Sequence, residues 1–334
     1  VSGVAERVDV PEARGGHDRE AHQREAHDRA SRLKGTLAVI VSACCFGSIS
    51  PLTVIATGQG MALESVQTWR YLTTATLLVL WGLIRRDTPA PASTDVWQSS
   101  SAMVPWYAPR ILFQAGVGQA SVATLALLAL RWLPAATASF LFYTYPAWVA
   151  VFAAVRGTDH LDRTRVIALV LSLLGLGAMV GAPSAESLAP MGVMVILAAA
   201  IVYALYIPLL ARLQTGRDPL DVARAIAVGG SVCFLTWSLS SGAFLSMPTP
   251  VGLFASVTQG VISAGAFLGF LLGLRLLGSV RTAITSTVEP FWTTLLGITL
   301  LGQGVGIGTV VGGIAIMGAV LLLQRPPALP RVPE

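Results

Sequence analysis

The chain has 334 residues, 54% of them hydrophobic and 12% charged, with a mean hydropathy of +0.70. A soluble domain carries about 25% charged residues, so this composition excludes a soluble fold and reads as a polytopic membrane protein. The net charge of +5 does not point to nucleic acid, because the basic residues sit in short links between apolar runs, where the positive-inside rule puts them.

Residues 1–34 are polar and dense in both charge signs. They leave no cleavable signal pattern ahead of the first apolar run. His17, His22 and His27 recur every five residues. On a helix such steps fan out by roughly 140° each, so they share no face and no metal site is expected. The segment reads as a solvated cytoplasmic tail, partly helical or disordered. Cys44, Cys45 and Cys233 fall inside apolar runs and read as reduced core residues. The chain has no Asn and hence no N-glycosylation sequon.

From Gly35 onward ten apolar runs follow: 36–57, 66–84, 111–130, 135–155, 165–181, 191–210, 222–244, 254–274, 282–301 and 305–323. Crossing a bilayer takes about 20 such residues. The one long link, 85–110, holds Pro89, Pro91, Pro105 and Pro109, with Trp97, Trp106 and Tyr107 suited to the headgroup layer. With the N-terminus placed inside, 20 of the 22 basic residues fall in inside segments. Arg131 alone falls outside, and Arg70 lies within the second run. This predicts an even number of spans with both termini cytoplasmic.

The second half echoes the first. At a shift of 144 residues Leu127–Trp148 lies over Leu271–Trp292. Arg131/Arg275, Pro146/Pro290 and Trp148/Trp292 are identical, with Gly116/Gly260, Val117/Val261 and Ala120/Ala264 upstream. The topology sets Arg131 outside and Arg275 inside, so the two copies enter the membrane in opposite senses. The expected fold is an all-α polytopic membrane protein of ten transmembrane helices arranged as two inverted five-helix repeats. Residues 1–34 are the N-terminal tail, 35–183 the first repeat, 184–324 the second and 325–334 a cytoplasmic C-terminal tail.

This ordered set resembles the drug/metabolite transporter superfamily in its ten-span EamA-type branch. The matching residues are Phe46-Gly47-Ser48, Arg70, Ala129-Leu130-Arg131-Trp132 and Tyr145-Pro146 in the first half. The second half adds Gly273-Leu274-Arg275, Glu289-Pro290, Leu301-Gly302 and the Gly312-Gly313…Gly318 run. The resemblance covers residues 36–324. The family's Leu-Gly-Glu at two span ends is replaced here by Arg156-Gly157-Thr158-Asp159 and Leu301-Gly302-Gln303. The first span also lacks the carboxylate of the four-span multidrug relatives, so their proton exchange does not carry over.

Glu289 stands inside an apolar run, where a charge costs roughly 2.5–3.5 kcal/mol by insertion scales. It has two readings: a proton or cation site facing a central cavity, or a hydrogen-bonded acid fixing its helix beside Pro290. Arg70 either binds an anionic group, pairs with Glu289, or snorkels to the surface. Tyr143, Tyr145 and Trp148, with Tyr203 and Tyr206, form either an aromatic lining or core. Gln114, Gln119 and Gln259 contact substrate or bridge helices. Pro51, Pro146 and Pro290 are expected helix kinks, and Ser48 and Ser50 beside Pro51 suit a gate. The glycines of the fifth and tenth runs read as packing or dimer elements, with a homodimer as the partner state.

No P-loop, zinc motif or catalytic triad is visible, so neither an enzyme nor a cofactor is expected. The resemblance implies a secondary transporter of the inner membrane. Its site lies between the repeats, lined by the first, third, fourth, sixth, eighth and ninth spans. Export of a small metabolite, an amino acid or a toxic organic compound, is the leading reading, driven by the solute gradient or by protons. The alternative is an importer, or a carrier of a phosphorylated or nucleotide-linked solute; a membrane-embedded enzyme or receptor is the rival from another class.

Overall fold

The computed structural model describes residues 12–86, 105–133, 135–157, 162–181, 189–245, 248–301 and 306–323. Trp97, Pro89, Pro91, Thr158, Asp159, Gly302, Gln303 and the C-terminal tail lie outside them. The described residues are helical and contain no strand. Helix α1 (Glu12–Gly47) carries the tail into the first apolar run without a break, so the change from polar to apolar at Gly35 falls within one helix. After it come α2 (Ile49–Gly58), α3 (Leu63–Arg86) and α4 (Pro109–Leu112). A π-helical turn (Phe113–Val117) leads into α5 (Gly118–Ala129), followed by α6 (Ala135–Phe142), α7 (Tyr145–Val155) and α8 (Arg163–Val180). The second half holds α9 (Pro190–Leu213), α10 (Pro219–Ser240), α11 (Pro250–Leu277), α12 (Ser279–Thr285), α13 (Val288–Leu301) and α14 (Ile307–Leu323).

Among the described residues six helical stretches are long and apolar enough to cross a membrane: 28–58, 109–129, 137–155, 190–213, 219–240 and 250–277. Helix α14 is apolar but shorter. Helix α3 is long enough, but Gln67, Arg70 and four threonines lower its hydropathy. Helix starts follow local chemistry. Pro190, Pro219 and Pro250 occupy first-turn positions, where a missing N–H costs nothing. Asp218 accepts from the Leu220 amide at 2.8 Å and Thr249 from Gly252 at 3.2 Å, as N-caps should.

All three expected kinks are breaks. A proline has no N–H for the carbonyl four residues back, and its ring crowds that carbonyl. Pro51 therefore ends α1 at Gly47, Pro146 ends α6 at Phe142, and Pro290 opens a turn at Ser286 and Thr287. At the last two breaks a threonine covers a loose end. The Thr144 hydroxyl donates to the Leu141 carbonyl, and that of Thr287 to Ile284, each at 2.7 Å.

The packing repeats between the halves. Helix α1 lies on α11 as α9 lies on α5, and α3 lies on α11 as α10 lies on the π turn. Helices α1 and α2 meet α13 as α9 meets α6 and α7. The α3–α10 and α8–α14 pairs map onto themselves under the same exchange. Matching glycines make matching contacts. A Cβ at Gly116 would lie 2.3 Å from the Gly229 backbone on α10, and one at Gly260 would lie 2.7 Å from the Arg70 carbonyl on α3. Gly175 and Gly312 bring α8 and α14 into backbone contact, which places the expected packing role of those glycines within the chain.

At the far end of α3 the buried Arg224 guanidinium covers Gly82, where a Cβ would overlap it. Its Nε donates to the Leu78 carbonyl at 3.1 Å, and Nη1 pairs with Asp221 at 2.8 Å. Trp106 lies beneath it with the ring centre 5.6 Å away, while Tyr107 is exposed.

Overpacking a tight crossing costs about 1–3 kcal/mol. Gly116→Ala and Gly260→Ala should each lower the unfolding temperature of the purified protein in detergent. Gly265→Ala, where nothing lies within 4 Å of the new methyl, should not.

Candidate functional site

The two proline breaks of the fourth and ninth runs face each other, with α7 packed on α12. The residues just before the prolines, Tyr145 and Glu289, occupy matching positions at the 144-residue shift. Tyr143 and Tyr145 of the fourth run are buried and lie within electrostatic range of Glu289 in the ninth. Tyr203 of α9 closes the group, its ring 4.6 Å from Tyr145 edge-on and 5.6 Å from Phe142 in a stack. Glu289 is half-buried among them.

Arg70 completes the charge pattern. It is buried at 8% exposure, which removes the snorkelling alternative. Its Nε donates to the Ser263 hydroxyl of α11 at 2.7 Å, and Nη1 to Gln67 Oε1 at 3.2 Å. The guanidinium carbon sits 5.1 Å from the centre of the Tyr71 ring. Arg70 and Glu289 lie within electrostatic range of each other, but no ion pair joins them. A buried cation and a half-buried acid thus lie near one another, with Tyr71 against the first and Tyr143 near the second.

Other expected residues take different places. Gln119 is half-buried on α5. Gln259 is fully buried and takes a weak hydrogen bond from Thr53 at 3.5 Å, which makes it a bridge between helices. Gln114 is half-buried on the π turn. Trp148 is half-buried and meets Phe152, with ring centres 6.4 Å apart. Tyr206 is buried, and its hydroxyl donates to the Ala115 carbonyl, so it pins α9 to the π turn. Pro51 is buried, Ser50 exposed, and Ser48 accepts from Trp292 Nε1 at 2.9 Å.

Ser263, Gln67, Tyr71 and Ser286 were not singled out by sequence reasoning. A signal for the first two existed. Gln67, Arg70 and Thr74 on α3, and Ser256, Gln259 and Ser263 on α11, each follow the i, i+3, i+7 spacing of one helix face. Two polar stripes on apolar helices must face each other or water. Here they meet, through Arg70 to Ser263 and through the Thr74 hydroxyl to the Gly260 carbonyl at 2.9 Å.

The chemistry on offer is recognition. A carboxylate, a guanidinium, hydroxyls and aromatic faces are groups that can recognise a small organic solute by charge, hydrogen bond and stacking. Among the described residues no group of His, Cys, Asp and Glu is arranged to hold a metal.

Comparison with known proteins places this arrangement. The chain is 26% identical over 291 residues to the uncharacterized transporter YcbK of Bacillus subtilis, covering 83% of this chain and 88% of that protein. It is 25% identical over 222 residues to the uncharacterized inner membrane transporter YicL of Salmonella typhimurium, covering 62% and 70%. A crystal structure titled only as that of a protein superposes with a TM-score of 0.69 at 16% identity, over 86% of this chain and 95% of that one, and so shares the fold. The EamA-like transporter family model matches twice, over residues 33–181 and 190–325. With both halves of the chain matched separately, the protein is a multi-pass membrane transporter of two repeats and belongs to the EamA-like transporter family.

Proposed function

We propose that this protein is a secondary transporter of the inner membrane that exports a small metabolite, an amino acid or a toxic organic compound, by alternating access. Ten spans in two inverted repeats, with both termini in the cytoplasm, put the solute site near the midplane between the halves. The observation that carries this reading is the meeting of two proline-broken helices at Glu289, with Tyr143, Tyr145, Tyr203 and Arg70 around it. An acid kept within apolar surroundings without a salt bridge has a use for its charge: it meets a solute cation or carries a proton. A phosphorylated solute is disfavoured, because one guanidinium, already engaged by Ser263 and Gln67, faces a carboxylate across the site.

The first test compares metabolites in the medium of cells that express wild type, Glu289→Gln or no transporter. Wild type alone should enrich its substrate outside, and Glu289→Gln should lower that enrichment at least tenfold at equal membrane abundance. Equal enrichment by both proteins would return Glu289 to a structural role. If protons drive the cycle, a protonophore should abolish wild-type export and leave the residual Glu289→Gln flux unchanged.

The tyrosine contact makes a finer prediction. A hydrogen bond to a charged group contributes about 1.5–3 kcal/mol. Tyr143→Phe keeps the ring and removes the hydroxyl, so it should raise the half-saturation concentration about tenfold in proteoliposomes supplied with the identified substrate. Trp148→Phe, a position outside the tyrosine group, should change it by less than twofold.

A further inference from the structure

The two halves can be aligned at a second register. Gly35 on α1 packs on Leu276 and Leu277, and Gly192 on α9 packs on Trp132 and Leu133. Those two pairs of targets match at the 144-residue shift. The first run therefore overlays the sixth at a shift of 157 residues. The same shift brings Pro51 onto Pro208, Gly47 onto Ala204 and Ser48 onto Leu205. Each proline deprives the carbonyl four residues back of its helical partner. In one half that carbonyl is Gly47, and in the other it is Ala204.

The two halves treat this carbonyl differently. The Thr293 hydroxyl of α13 lies 3.1 Å from the Gly47 carbonyl and 3.0 Å from its own Glu289 carbonyl, and shares its proton between them. One residue away, Trp292 Nε1 donates to the Ser48 hydroxyl at 2.9 Å, and that hydroxyl donates to the Cys44 carbonyl at 2.8 Å. The matching crossing of α7 with α9 has Trp148 in place of Trp292, but Val149 in place of Thr293 and Leu205 in place of Ser48. Neither Val149 nor Leu205 has a polar side-chain atom. That crossing is held by apolar and ring contacts such as Tyr145 against Tyr203.

We infer that Thr293, Trp292 and Ser48 form a latch on the crossing of the first and ninth runs that the matching crossing of the fourth and sixth runs lacks. The latch biases the resting protein towards the state with the first crossing closed. This inference rests on the alternating-access reading above. In an inverted repeat the two crossings lie on opposite sides of the solute site, and each opens as the other closes. An interhelical hydrogen bond inside a membrane protein contributes ~0.6 kcal/mol on average, which is about threefold in the ratio of the two states.

The test is amide hydrogen exchange on the full-length protein in lipid nanodiscs, followed in peptides covering 44–58 and 286–301 and in peptides covering 141–155 and 200–213. Thr293→Val removes the hydroxyl with little change of shape. It should speed exchange about threefold in the first pair of peptides and slow it in the second. Trp292→Phe should act in the same direction. Val149→Thr supplies a hydroxyl for the Ala204 carbonyl and should act in the opposite direction. Reciprocal change is the diagnostic, because simple destabilisation speeds exchange at both crossings. If Val149→Thr shifts the two crossings reciprocally but Thr293→Val and Trp292→Phe do not, the latch is wrong and alternating access stands. If no variant moves the crossings in opposite directions, both fall.

Discussion

A proline inside an apolar helix leaves one carbonyl without its partner, and hydrocarbon offers no water to replace it. This chain accepts that cost at Pro51, Pro146 and Pro290, where the helix breaks, and again at Pro208, inside α9. The Gly47 carbonyl takes the Thr293 hydroxyl of the ninth run, and at the other two breaks Thr144 and Thr287 donate to the Leu141 and Ile284 carbonyls. Non-helical backbone at membrane depth is tolerated only where protein or a water-filled cavity surrounds it. The broken first and fourth runs accordingly both pack on the broken ninth.

Close helix approach makes this packing possible. Lipid tails are as apolar as leucine, so the hydrophobic effect does not drive these helices together; packing and hydrogen bonds do. Gly116 against Gly229, Gly260 against the Arg70 backbone and Gly269 against the Ala38 carbonyl bring helices near enough for short side chains to bridge them. The bridges are Ser42 to the Ala266 carbonyl, Thr68 to the Phe234 carbonyl and Thr74 to the Gly260 carbonyl. Arg70 is held in this web, so its charge is oriented towards the site.

Much of this is legible in the sequence because the bilayer imposes simple rules. Apolar runs of spanning length become helices, and three of them break at Pro51, Pro146 and Pro290, while α9 runs unbroken through Pro208. Identical residues at one fixed shift mark equivalent contacts, as Gly116 and Gly260 do. The fate of Arg70 was not legible. Its distance from a span end allows snorkelling, and only the facing stripe on α11, with Ser263 one helical turn beyond Gln259, decides against it. The assignment of Tyr203 to the site and of Tyr206 to a carbonyl on the π turn was equally hidden, since the two differ by less than one turn of one helix. The correspondence of the first run with the sixth shares few identities and emerges from contacts, through Gly35 and Gly192.

The departures from symmetry carry as much meaning as the symmetry. Two identical halves, exchanged by one operation, would give the two facing states equal energy, and no property of the protein would separate inside from outside. Glu289 opposite Tyr145, Thr293 opposite Val149 and Ser48 opposite Leu205 remove that equality at the centre of the fold. Two of these differences set a polar side chain against an apolar one and the third a carboxylate against a phenol, and all three place the more polar member in the crossing of the first and ninth runs. Hydrogen bonds present in one crossing only favour one resting state. In the cycle proposed here the repeats supply the motion, the gradient sets its direction, and the few residues that differ between the halves set where it rests.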